Sequence, residues 1–303
     1  MIHPTAVIHP NSKLASDVKV DAYVVIGSGV EIGAGTHILS HSVLEGPELK
    51  IGKNCTIGPH ANIKSHTEMG DGNKIYPFCA VGCAPQDLKF KGENSWLKIG
   101  NGNTFRESVT LNRGTVDGGG ITTIGDSNLL MAYVHVAHDC ILGDEVVIAN
   151  NVALAGHVEI QDGAIIGGLV GISQFCRIGK YSYIGGCTGT NKDIPPFMLA
   201  SGSAYHIQIR GVNAIGLRRR GFSADAVRHL KEAYKILFKS SAPLQEGLKL
   251  VKTMIKSPHV EELVSFIESS KQGICFSERQ SLDEKDSNTS RRDRRGISGQ
   301  LSH

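Results

Sequence analysis

The sequence predicts a mainly β chain, a parallel β-helix built from hexapeptide repeats and closed by a C-terminal α-helical domain. Three observations carry this reading. An aliphatic side chain recurs at every sixth position over long stretches of the first 184 residues. Glycine is abundant, 36 of 303 residues, against one Trp, seven Tyr and nine Phe, which calls for many tight turns and an aliphatic core. The six-residue period stops at TNKDIPP, and helical spacing begins at Ser223.

The first repeat frame runs Ile2, Ile8, Leu14, Val20, Ile26, Ile32, Ile38 and Leu44. After a one-residue slip it continues through Ile51, Ile57, Ile63, Met69, Ile75 and Val81. From Ile124 it is unbroken through Leu130, Val136, Leu142, Ile148, Leu154, Ile160, Ile166, Ile172, Ile178 and Ile184. This is neither the 3.6 period of a helix nor simple alternation. Three hexapeptides close one triangular coil, with the aliphatic stack on its axis. Cys55, Cys79, Cys140 and Cys176 fall four residues after a stack position, where a small side chain fits the interior.

Two segments break the period, CAPQDLKFKGENSWLK from Cys83 to Lys98 and RGTVDGGGI from Arg113 to Ile121. Breaks in a solenoid become loops on one face, often the binding face. The chain therefore divides into a β-helix over 1–190, a connecting segment over 191–222, a helical domain over 223–270 and a polar, disordered tail over 271–303. In the helical part Ser223 caps, Asp225 suits the first turn, and Val227, Leu230, Tyr234 and Leu237 share one face. Two further helices are expected near Leu244–Ile255 and Pro258–Ile267.

Composition narrows the function. With 40% apolar and 20% charged residues the chain is globular, and no apolar run reaches the roughly 18 to 20 residues of a membrane span. A soluble protein without stable membrane insertion is expected. The net charge of +3 gives no sign of a nucleic-acid partner, although Arg218, Arg219 and Arg220 form a local basic cluster that suits phosphate or an acidic protein. Seven cysteines without a CxxC pair argue for a reducing compartment.

The stretch YVHVAHDCILGDEV carries His135, His138 and Asp139. Residues one coil apart stack at about 4.8 Å, so His138, Gly156 and Gln174 fall in one column, with His157 beside the glycine. The column occupies a turn position where side chains leave the core, so His138 is expected to be exposed. A histidine and an unobstructed glycine amide suit acyl transfer, as general base and oxyanion donor. Metal is the competing reading, because γ-type carbonic anhydrases use three histidines on this kind of solenoid. Here His135 occupies a different hexapeptide position from His138 and no third ligand is evident, so no metal is expected.

Several segments together resemble the UDP-N-acetylglucosamine 3-O-acyltransferase family of lipid A biosynthesis: QDLKF, RESVTLNRGT, NLLMAYVHVAHDC, NNVALAGHV, QFC, GGCTG and GLRRRGFS. The resemblance covers roughly residues 1–270 and supplies the left hand of the β-helix. It implies a homotrimer with sites between solenoids, acyl carrier protein as donor and partner, and UDP-N-acetylglucosamine as acceptor. The acyl group, commonly (R)-3-hydroxyacyl, rides on the carrier's phosphopantetheine, so no cofactor is implied.

By the same resemblance His138 is the base, Asp139 supports it and Gly156 holds the oxyanion. Asp87, Lys89, His135, His157 and Gln174 match positions binding sugar nucleotide or acyl chain. Asn213, Arg219 and Arg220 match the uridine and diphosphate end, with the arginines also suited to the acidic carrier. Gly186 matches the position limiting acyl length. The sequence departs from the family at Asn112 and Ser173, where histidine is common, and at Ile215, where an acidic residue is. The family places the chain in the cytoplasm of a bacterium, or, given the long polar tail, in a plant organelle such as the mitochondrion. Two alternatives stand beside it: the N-acyltransferase of the same pathway, which typically carries an additional N-terminal domain, and a non-catalytic solenoid used for assembly.

Overall fold

In the computed structural model, which describes residues 1–203 and 206–276, the six-residue period is a parallel β-solenoid. Three sheets of ten, nine and eleven strands form its three sides. Most strands are two residues long, and each pairs with the strand one coil further on: His135 with Ala153, and Ala153 with Gly171. The first residue of such a strand points outward and the second inward. Val136, Leu154 and Ile172 are therefore 0 to 2% exposed along the axis. Each fully buried aliphatic side chain of this stack contributes about 1.5–3 kcal/mol. Cys55, Cys79, Cys140 and Cys176 are buried in it as well.

From Tyr23 onward the corners are sharp because one residue in most turns adopts the left-handed backbone. Tyr133, Asp139, Glu145, Asn151 and His157 do so, with φ from 54° to 63°. Residues six apart therefore stand at successive corners, and Asp139, His157 and Phe175 share one corner in consecutive coils.

The outward faces differ in chemistry. The nine-stranded sheet presents Lys13, Glu31, Lys50, Glu68 and Lys98 in register, with ion pairs such as Lys13 to Glu31 at 2.8 Å. The ten-stranded sheet presents Val7, Val25, Val43, Asn62, Ala80 and Thr110, then His135, Ala153, Gly171 and Gly189. That row carries no acidic residue, Lys or Arg.

Across the two insertions the coil keeps its register. Thr104 pairs with Lys74 across the first and with Leu129 across the second. Leu97, Ile99, Phe105 and Leu111 fill the axis here, so the six-residue spacing of Ile99, Phe105 and Leu111 persists between the breaks, and the first insertion ends where the strand Trp96–Ile99 begins. A buried asparagine ladder spans the same coils. Asn103 donates through Nδ2 to Asn73 Oδ1 at 3.0 Å, and Asn103 Oδ1 accepts from Asn128 N–H at 2.9 Å.

The connecting segment is ordered rather than a simple link. Met198–Ser203 extends the eleven-stranded sheet and turns back antiparallel as His206–Val212. Among the described residues four α-helices follow: α1 over Ala214–Arg219, α2 over Ala224–Phe238, α3 over Leu244–Met254 and α4 over Pro258–Glu268. Ser223 Oγ caps α2 by accepting from Ala226 N–H at 3.1 Å, and Val227, Leu230, Tyr234 and Leu237 are buried. The start of the expected tail is packed: Cys275 is 4% exposed and donates its N–H to Asp193 O at 3.0 Å. Residues 277–303, and the disorder expected of them, lie outside the described residues. Among the described residues no helix is long and apolar enough to cross a membrane.

Candidate active site

His138, Gly156 and Gln174 stand in consecutive coils, and the first two are in direct contact. The His138 ring occupies the space over Gly156: a Cβ there would lie 2.6 Å from Cε1 and 2.8 Å from Nε2 of the histidine. Gly156 N–H has no acceptor among the described residues. His138 is not exposed as its turn position suggests. It is 6% exposed, because the insertions fold over this corner.

His138 Nδ1 lies 2.7 Å from Asp139 Oδ2. A carboxylate can only accept, which assigns the proton to Nδ1 and leaves the Nε2 lone pair free. Asp139 is itself fixed. Its Oδ1 accepts from Thr115 N–H at 2.7 Å, its Oδ2 from Thr115 Oγ1–H at 2.7 Å, and its own N–H donates to Thr122 Oγ1 at 2.8 Å. His157, stacked on Phe175 at 4.6 Å and edge-on to His138 at 5.2 Å, puts Nε2 3.7 Å from Asp139 Oδ2.

The ligand atoms of His138, Asp139 and His157 all lie within 4.8 Å of one another, so a third metal-ligating group does exist beside His138. The hydrogen bonds oppose its use. His138 Nδ1 is engaged by Asp139, and both carboxylate oxygens of Asp139 are engaged by Thr115.

Two clefts meet at His138. One, of about 840 Å³, runs along the ten-stranded sheet and is lined by Ala153, Leu154, Leu169, Gly171, Ile172 and Gly189 beside His135 and His138. The other, of about 620 Å³, is more polar and is lined by Asp87, Lys89, Thr115, Asp117, His157 and Phe175. Gln86, His138 and Gln174 line both. Thus His135 and His138 share a cleft despite their different repeat positions. His135 Nδ1 is 2.7 Å from Thr110 Oγ1, and burial, then the nearby His138, holds its pKa below the ordinary value. Asp87 Oδ1 also accepts Lys89 N–H at 2.9 Å, which shapes the tip of the first insertion. Asn112 anchors that insertion by donating to Ala84 O at 3.0 Å.

Other expected residues lie elsewhere. Gly186 lines neither cleft, and a Cβ on it would meet Gly168 O at 2.9 Å. Gly171, with open space where its Cβ would be, lines the apolar cleft instead. Asn213 caps α1 and donates to Tyr181 O at 3.0 Å, while Arg220 pairs with Glu145 at 2.5 Å and lies over the Tyr181 ring. Arg219 is exposed. Glu145 and Tyr181 mark the next corner of the coil, so this group does not meet His138 within one chain. Thr115, Gln86 and Gly171 are site residues that the repeat pattern alone does not single out; their signal is their position in or beside the period breaks and columns.

Comparison with known proteins places this architecture. Two stretches, 11–46 and 121–156, match the bacterial transferase hexapeptide family, and residues 193–275 match the second domain of UDP N-acetylglucosamine O-acyltransferase. A Thermodesulfovibrio yellowstonii protein named acyl-(acyl-carrier-protein)–UDP-N-acetylglucosamine O-acyltransferase is 46% identical over 231 residues, 76% of this chain and 89% of its own. The chain belongs to the UDP-N-acetylglucosamine O-acyltransferase family. It is accordingly an acyltransferase. The solved LpxA of Acinetobacter baumannii, 42% identical, superposes with a TM-score of 0.77 over 90% of this chain and 99% of its own. An Arabidopsis UDP-N-acetylglucosamine acyltransferase, 33% identical, reaches 0.83 over 91% and 100%.

Proposed function

We propose that this O-acyltransferase moves an acyl group, (R)-3-hydroxyacyl in the family pattern, from acyl carrier protein to the 3-hydroxyl of UDP-N-acetylglucosamine, entering lipid A biosynthesis. The observation that carries the mechanism is the free Nε2 of His138 at the junction of an apolar and a polar cleft, beside an unpaired glycine amide. Nε2 takes the 3-hydroxyl proton as that oxygen attacks the thioester carbonyl. Gly156 N–H receives the oxyanion. Collapse expels the pantetheine thiolate, which takes the proton back from His138, leaving an ester and a free carrier thiol. Asp139 holds the Nδ1 proton throughout. The apolar cleft suits the acyl chain; the polar one, with Asp87, Lys89, His157 and Gln174, suits the sugar. No resident cofactor takes part.

The assembly in this reading is a homotrimer. Two features support it: the ten-stranded sheet offers an outer row without Lys, Arg, Asp or Glu, and the Asn213, Arg219 and Arg220 group sits at a different corner from His138. A uridine diphosphate spanning both groups requires two copies side by side. Arg219 is free to meet phosphate or the acidic carrier, whereas Arg220 would have to leave Glu145.

The deciding experiment is transfer to UDP-N-acetylglucosamine from carrier proteins bearing a ladder of acyl lengths, with wild type and His138→Ala compared. Wild type is expected to transfer and the variant to lose nearly all rate; near-normal rate in the variant removes the base.

A further inference from the structure

We propose that Thr115 is a positioning residue for the transfer reaction, holding the Asp139 carboxylate and, through it, the tautomer and direction of the His138 ring. The inference rests on the reading of His138 as base. An aspartate carboxylate held only by one imidazole N–H can turn about its terminal torsion, and the ring it orients turns with it. Here both oxygens are gripped by one residue: Thr115 N–H reaches Oδ1 and Thr115 Oγ1–H reaches Oδ2, each at 2.7 Å.

The proton directions leave no second arrangement. Thr115 Oγ1 accepts from Gly118 N–H at 3.2 Å, an amide that can only donate, so its own hydrogen goes to the carboxylate. Oδ2 therefore receives two donors, Thr115 and His138, and shares its charge between them.

The second insertion is shaped for this grip. Thr115 caps a one-turn 3-10 helix over Val116–Gly118, which brings the chain back against Asp139. Gly118 lies so close that a Cβ on it would collide with the carboxyl atoms. Where the insertion ends, Thr122, fully buried, accepts the Asp139 N–H. Asp139 is thus held from the start, the turn and the end of one loop, at 5% exposure. So complete a grip exceeds what a corner residue of the solenoid needs. Its neighbours in the same column, His157 and Phe175, are held by stacking and a backbone bond.

The test is steady-state transfer by the full chain carrying Thr115→Val, Thr115→Ser or His138→Ala. Thr115→Val keeps shape and amide and removes only the hydroxyl donor. It is expected to lower kcat about ten-fold, the effect of one hydrogen bond, with KM for both substrates within about two-fold because the hydroxyl removed is already committed to Asp139. Thr115→Ser, which keeps both donors, is expected to restore kcat to within about two-fold. Wild-type kcat in Thr115→Val overturns the role, as does a fall that Ser fails to restore or that comes with an equal rise in KM. The Ser variant serves alone if Thr115→Val does not fold, since a ten-fold loss there is incompatible with a hydroxyl-borne grip. A dead His138→Ala beside a normal Thr115→Val sinks only the positioning role; an active His138→Ala sinks the base beneath it.

Discussion

Gly156 and His138 occupy one space: the histidine ring lies where a Gly156 side chain would project, with Cε1 2.6 Å from the absent Cβ. Glycine here is a packing requirement. The missing methyl admits the ring, and the Gly156 N–H has no acceptor among the described residues.

Replacing Gly156 with Ala is expected to push the ring aside while leaving the coil intact, since Gly156 is not in the left-handed conformation. A displacement of about 1 Å costs roughly 100-fold in rate. Transfer kinetics and a melting curve check this together. A fully active Gly156→Ala would show that the ring and glycine are not coupled in the reaction.

If Arg219 and His138 serve one site from two copies, two inactive variants should rescue each other. His138→Ala and Arg219→Glu, co-expressed with different affinity tags and isolated as mixed oligomers, are expected to regain activity that neither shows alone. Each single variant supplies the control. No rescue in verified mixed oligomers would place both residues in one chain's site or Arg219 in none.

His135 gives a pH signature. Burial and His138 lower its pKa from 6.5, so the unfolded chain takes up that proton first. Its contribution to stability is present in full above 6.5 and is lost as pH falls through the lower folded value. Urea denaturation of wild type and His135→Gln across this window should show wild type losing stability more steeply on acidification. Parallel curves would contradict the assignment.

The thiols should divide sharply. Burial pushes Cys140 and Cys176 up to about 12 and Cys79 and Cys275 to about 11, and raises Cys55 and Cys83 as well. Cys187 is exposed and Cys83 half-buried. An aromatic disulfide reagent is expected to label Cys187 quickly, Cys83 slowly, and the remaining five only after denaturation. Rapid labelling of Cys140 would mean that this corner opens in solution.

The solenoid is legible in the sequence because each coil makes the same demand every six residues, and Ile148 answers it as Ile166 does. The insertions are equally plain as breaks. Between them the period hides, since Phe105 takes an aliphatic place in the stack. The antiparallel strands Met198–Ser203 and His206–Val212 and the helix α1 are not legible because Gly202, Ser201 and Gly211 blur the alternation and α1 has only six residues. At the site the column of His138, Gly156 and Gln174 follows from counting. The grip on Asp139, the neighbour of His138, does not, because it comes from Thr115 and Gly118 folding back across more than 20 residues. For Gly186, matched by resemblance alone, counting gives no companion in that column, and in a single chain it packs against Gly168 of the neighbouring coil.

The asparagine ladder has a consequence for how such sites diversify. Asn73, Asn103 and Asn128 stitch together the coils between which both insertions leave the solenoid, and their amides link residues 30 and 25 positions apart as firmly as neighbours 18 apart are linked elsewhere. Each loop leaves at the corner between the ten- and nine-stranded sheets, whereas the ladder ties the next corner, between the nine- and eleven-stranded sheets. Lengthening or exchanging either loop is therefore expected to leave the stack of coils aligned, the candidate-site lining behaving as detachable trim on a frame that holds its own alignment.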